Sequence, residues 1–213
     1  SPPPPANAFM PDQVVAFTGD IDGGLYISGA MEKPKLSGDL SLDSVSVYAR
    51  QAGARYWFDN RPLKIENNQL IFNKFAIYTT SRNPFTIDGN VDFRNMENPT
   101  AKLNLRAQNY TLLDAPRTKE SMIYGKIFVD LNATVRGPLD GLTMRGNMNL
   151  LGNTDVTYVL TDSPLTVEDR LGELVTFTSF TDTTSVQATE VPTMSLGGMD
   201  MLMSVHIDDA VRL

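Results

Sequence analysis

Cysteine is absent from this chain, so there is no disulfide staple and no thiolate chemistry, and the redox compartment stays open. No apolar run approaches the ~18 residues that a membrane-spanning helix needs. No signal-peptide pattern is visible either. Basic clusters are missing: 18 Lys and Arg stand against 25 Asp and Glu, for a net charge of −7. That balance disfavours nucleic-acid phosphate and a polybasic membrane-surface mode. Histidine and tryptophan each occur once, as His206 and Trp57.

Reactive constellations are also scarce. His206 falls on the polar side of an alternating stretch and has no partner motif, so it reads as a solvated strand residue rather than a general base. HExxH, P-loop, GxSxG and calcium-loop patterns do not occur. The segments GPLDG and GDIDGG lack the spaced oxygen ligands of a calcium loop and read as turns. Glu168/Asp169 and Asp208/Asp209 are sequence neighbours, which a strand would point to opposite faces. The expectation is a protein without catalytic residues, metal or cofactor. Trp57, within RYWFDN (55–60), is expected in the core or at a sheet edge rather than in a binding platform.

What the sequence does contain is alternation of period two, the mark of half-buried strands. It runs through Leu25/Ile27, Leu36–Leu42, Val45/Val47, Leu63/Ile65, Leu70/Phe72, Phe75/Ile77, Ile87–Phe93, Ala101–Ala107, Ile127–Val135, Leu142–Leu150, Val156/Tyr158 and Met199–Ile207. Turn formers separate these runs: DGG (22–24), DNRP (59–62), NMENP (95–99), RGPLDG (136–141) and GNTD (152–155), with ENNQ (66–69) as a hairpin turn. The spacing predicts roughly a dozen strands. TVEDRLGEL (166–174) carries a capping-box pattern for one short helix. Residues 111–121 and 176–198 read as loops. Residues 1–11 read as a proline-rich linker, and 12–213 as a single domain with a loop-rich segment at 166–198. Both chain ends look like cuts, so a fragment of a longer protein is expected.

Three strand patterns place a glycine at the centre of their apolar face: KLSGDLSL at Gly38, FTIDGNVDF at Gly89 and LTMRGNMNL at Gly146. Curvature would explain this, since glycine relieves crowding where a sheet bends. A channel left between flanking aliphatic side chains would explain it too. A packed sandwich, with the gaps filled from a facing sheet, is the third reading, and on pattern alone the preferred one. A weak internal repeat relates 29–48 to 137–158, each with a glycine, a turn, a strand with an inward glycine and a second strand ending in tyrosine.

The run YWFDNRPLKIENNQLIFNKFAIYTTSRNPFTIDGNVDF (56–93) resembles the repeating grammar of the TamB/AsmA-like translocation and assembly module family. YGKIFVDLNATVRGPLDGLTMRGNMNLLGNTDVTYVLTDSPL (124–165) is closer still to its Bacteroidetes branch. The likeness spans most of 20–165 and, less specifically, 199–213; it is strand-and-turn grammar without a reactive signature. It implies an all-β fold, an elongated curved antiparallel sheet folded into a hydrophobic trough (a β-taco). It also implies a periplasmic protein, anchored in the inner membrane through a segment outside this chain. Its partners would be phospholipid acyl chains, an Omp85-type outer-membrane barrel protein and outer-membrane protein substrates. The implied lipid groove would be lined by Leu36, Gly38, Leu40, Leu42, Ile87, Gly89, Val91, Leu103, Leu105, Val129, Leu131, Val135, Met144, Gly146, Met148, Met201 and Met203. The alternative is a scaffold that binds strands of outer-membrane proteins by edge augmentation without carrying lipid. A carbohydrate-binding sandwich around Trp57 is a third and weaker reading.

Overall fold

The alternating segments become strands. The computed structural model describes residues 14–49, 53–119, 121, 123–159, 193–196 and 199–213. They form β1 (Val14–Ala30), β2 (Lys33–Ala49), β3 (Ala54–Phe58), β4 (Leu63–Glu66), β5 (Gln69–Tyr78) and β6 (Phe85–Asp92). Then follow β7 (Thr100–Ala115), β8 (Ile123–Pro138), β9 (Thr143–Leu150), β10 (Asp155–Tyr158), β11 (Thr193–Leu196) and β12 (Met199–Ile207). All twelve belong to one sheet in the order β1-β2-β3-β5-β6-β7-β8-β9-β12-β11. β4 lies between β2 and β5, and β10 runs along β8 beyond the end of β9. The described residues contain no helix; TVEDRLGEL lies outside them.

The sheet departs from the expected antiparallel pattern at one ladder, since β12 pairs with β9 in parallel, Met201 opposite Met144 and Ile207 opposite Leu150. A parallel pair needs a crossover, and most of that connection lies outside the described residues. Two segments expected as turn or loop are strand. Asp22–Gly24 pairs with Ser41–Asp39 inside β1, and at Gly23, where a Cβ would stand 2.5 Å from Asp39 O, the absent side chain lets the strands close. Thr111–Ala115 continues β7, because Leu113 and Ala115 bury against Val156, Ile123 and Ile127. β11 falls within the stretch expected as loop. The ENNQ hairpin forms as predicted, with Asn67 and Asn68 at φ 49° and 62°. The Asn68 side chain then clips β2, accepting from Leu36 N–H at 2.8 Å and donating to Pro34 O at 2.8 Å.

Irregularities line up across the sheet. β2 bulges at Ser44, β5 at Lys74 and β7 at Asn109, each with positive φ. The β3–β4 break at 59–62 and the β9–β10 break at 151–154 continue the same line. Each left-handed residue turns its amide out of the ladder, and a neighbouring side chain receives it. Ser44 N–H donates to Asn60 Oδ1 (3.1 Å), Lys74 N–H to Asp88 Oδ1 (2.9 Å) and Asn109 N–H to Asp130 Oδ1 (2.7 Å). At the last break the buried Thr154 hydroxyl accepts from Phe128 N–H at 3.0 Å. Bulges bend and further twist a strand, so this diagonal is a crease.

The glycines of the apolar face serve close approach. A Cβ at Gly38 would stand 1.9 Å from Gly24 O, one at Gly89 2.0 Å from Lys102 O, and one at Gly146 2.3 Å from Asn132 O. The neighbouring backbone occupies the space a side chain would need, so these positions do not open a channel. Gly89 also has φ 123°, a conformation that L side chains rarely adopt. Gly89→Ala is expected to lower stability by roughly 2 kcal/mol or more. Gly141→Ala, where a Cβ would meet only Pro138 Cγ at 3.6 Å, is expected to stay within about 0.5 kcal/mol of the parent. Urea denaturation of the two variants checks this.

Candidate functional site: an apolar sheet face

Residues opposed in a ladder point to the same side of a sheet, as do residues two apart along a strand. These two rules settle where the seventeen expected groove residues lie. One row crosses β5 to β12 as Phe72, Gly89, Leu103, Val135, Met144 and Met201. The next reads Phe75, Ile87, Leu105, Ala133, Gly146 and Met203. A third reads Ile77, Phe85, Ala107, Leu131, Met148 and Val205. Val91 heads a row with Leu70 and Ala101, and Val129 one with Tyr110, Leu150 and Ile207. On β2, Gly38 faces Ile65 and Leu40 faces Leu63, with Leu36 and Leu42 in phase. All seventeen therefore share one face. The bulges preserve it: each inserts one residue and returns the chain to phase.

Of the seventeen, Leu42, Val129 and Val135 are buried and the rest half-buried. Burial comes from other residues of the same face. One cluster joins Leu42, Val45, Leu63 and Phe75 with Phe58, Phe72 and Ile87. A second joins Ala107, Tyr110 and Val129 with Phe85, Leu131, Met148 and Leu150. No separate facing sheet is present among the described residues; every strand belongs to the one sheet. The filled sandwich preferred on pattern is therefore not the arrangement of these residues. Beyond the clusters the face is exposed at both flanks: Leu25 and Ile27 on β1, Val205 and Ile207 on β12.

At one end the face closes on itself. Where the β5–β6 hairpin stops, β3 and β7 touch. Tyr56 donates its hydroxyl to Leu112 O at 2.9 Å, and a Cβ at Gly53 would stand 2.6 Å from Ala115 Cβ. Thr80 donates to Asp114 across the same gap (3.2 Å). Tyr110, central to this end, was absent from the expected set; its place in NYTLLDA, read as leading into a loop, hid it. Phe72, Phe75 and Phe85 were likewise visible as alternation but not assigned to the groove.

The opposite face is polar. Thr86, Arg106, Asn132 and Asn147 form one of its rows, opposite in phase to the aliphatic ones. Trp57 lies on this face, 40 % exposed, on a strand between β2 and β5, where core or a sheet edge was expected. His206 is exposed, opposite Asn149 in the ladder, and its ring makes no hydrogen bond among the described residues. The described residues also hold no cluster of three metal-ligating side chains.

Comparison with known proteins adds one finding. The model of the TamB C-terminal domain matches residues 73–212. The chain belongs to the TamB C-terminal domain family. TamB proteins are translocation and assembly module components of the cell envelope, and the all-β sheet agrees with that assignment. No curated protein and no solved structure matches the chain. The match begins inside β5 and ends beyond β12, so it takes in the three aliphatic rows from β6 onward.

Burial, helped by the charge of Tyr56, holds the Tyr110 phenol far above its ordinary value of 10.0; burial likewise raises Tyr56. The folded chain keeps protons that the unfolded chain releases near pH 10. The contribution is therefore complete below that pH and lost as pH rises past it. Thermal melting temperature is expected to fall above pH 10. Tyr110→Phe is expected to flatten that alkaline arm relative to the parent.

Proposed function

We propose that the aliphatic face is a path for phospholipid acyl chains in a non-enzymatic, periplasmic bridge towards the outer membrane. The observation that supports it is the unbroken apolar register from β5 to β12, on a single layer with no polar residue interrupting its rows. Each acyl methylene that leaves water gains about 0.8 kcal/mol. A half-buried surface of Leu, Ile, Val and Met recovers part of what an acyl chain loses on leaving a bilayer, which suits passage rather than storage. The crease would fold the sheet lengthwise and shape that surface into a trough. Unbranched Met144, Met148, Met201 and Met203 crowd the β9–β12 flank, and flexible thioethers adapt to chains of differing form. In this reading the protein works with an Omp85-type barrel, and headgroups stay in water at the rim.

Native mass spectrometry of freshly purified protein is expected to detect bound phospholipid. Leu131→Arg and Met144→Asp place a charge in the middle of the face, where desolvation opposes an acyl chain. Each is expected to reduce loading roughly tenfold, equivalent to about 1.4 kcal/mol, with strand circular dichroism unchanged. Full loading of both folded variants would reject the path.

One observation favours a second reading, capture of outer-membrane protein strands. β1 is a seventeen-residue flank of the sheet without Pro, Lys or Arg, the residues that ordinarily blunt an edge. Binding of a β-strand peptide that survives Leu131→Arg but is lost when proline replaces Tyr26 and Ile27 would select it.

A further inference from the structure

The polar face carries the two most exposed aromatic rings of β3 and β5 in direct opposition. Trp57 faces Tyr78 across the β3–β5 ladder, 40 % and 39 % exposed. The same row continues through Ser46 to Thr18, whose hydroxyls lie 2.6 Å apart. Ser44, Asp59 and Asn60 complete a concavity of about 560 Å³ around them, within the range of about 300–1,000 Å³ usual for small-ligand clefts.

The charges at this concavity are already engaged. Asp59 accepts from the Arg61 guanidinium at 2.6 Å and from Ala76 N–H at 3.2 Å. Arg55 donates to Ser46 Oγ at 3.0 Å and lies 5.7 Å from the centre of the Tyr48 ring. What the concavity offers is two exposed aromatic side chains edged by hydroxyls and an amide. Asn60 gives its oxygen to Ser44 N–H, and its amide nitrogen makes no hydrogen bond among the described residues. The one carboxylate lining the concavity, Asp59, is held by Arg61, so no lining residue offers an ion a free counter-charge. An acyl chain would leave the polar rim unpaired. A ligand with a C–H face and hydroxyl edges satisfies both parts: the C–H face rests on the rings, and the hydroxyls bond Asn60, Ser44 and Thr18.

We propose that Trp57 and Tyr78 form a binding platform for a neutral pyranose oligosaccharide, on the face opposite the aliphatic one. The site is independent of lipid carriage. It places the polar side of the sheet against glycan while the other side stays with apolar cargo.

Trp57 is the sole tryptophan, so its emission reports the site directly. The full chain is titrated with cellotetraose, maltotetraose and tetra-N-acetylchitotetraose, each to about 10 mM, which covers the millimolar affinities of small sites. A saturable shift with at least one of the three is expected. Tyr78→Ala keeps the reporter and is expected to weaken that binding about tenfold. Should it misfold, Tyr78→Thr is a strand former without a ring and serves the same purpose. Trp57→Ala, followed by calorimetry, is expected to lose binding. The proposal is overturned if no sugar moves the emission, or if a folded ringless variant binds like the parent. A tetraproline peptide that shifts Trp57 where no sugar does would also overturn it.

Discussion

A small polar interaction sets the form of this apolar sheet: a side-chain oxygen on one strand holds the displaced amide of a bulge on the next. Asn60, Asp88 and Asp130 do this for Ser44, Lys74 and Asn109. All three contacts are exposed, so water competes for the amide and each bond is worth about 0.5–1.5 kcal/mol. With the oxygen in place the strand bends at a fixed point and returns to phase. Because each bulge keeps the alternation intact, the aliphatic rows cross the crease without a polar residue entering them. Curvature and a continuous apolar face thus rest on the same few contacts.

The two faces then take on different chemistry from one set of strands. Val129 and Val135 bury on one side while Asp130, between them in sequence terms, caps a bulge on the other. Ser46 and Trp57 stand in one row of the polar face, while Val45 and Phe58, their chain neighbours, join the aliphatic cluster behind it. Strand alternation therefore gives a single layer two independent surfaces, one suited to hydrocarbon and one to polar partners.

The strands, the ENNQ hairpin and the shared face of the seventeen residues named in advance were legible in the sequence because period-two patterning is local. The glycines were legible as exceptions but not as causes. A Gly38 without Cβ looks the same on paper whether the gap stays empty or, as here, receives Gly24 O. Thr111–Ala115 and Asp22–Gly24 were missed because their pairing partners, Gly125–Phe128 and Asp39–Ser41, are decided by tertiary register rather than by propensity. The parallel ladder and the outward Trp57 were illegible for the same reason. The repeat between 29–48 and 137–158 was visible, and both copies cross the crease: β2 at Ser44, and β9 into β10 at 151–154.

The parallel pairing of β9 with β12 carries a kinetic consequence. From β1 to β9 each strand pairs with a neighbour close by in sequence, so those ladders have short loops to close. Asp200 meets Thr143 only after an excursion of more than fifty residues, and closure entropy grows with the logarithm of that length. That ladder is held by ordinary backbone bonds and an Arg145–Asp200 ion pair at 2.9 Å. Among the described ladders it is the one that joins the most distant segments of the chain, so it carries the largest closure cost.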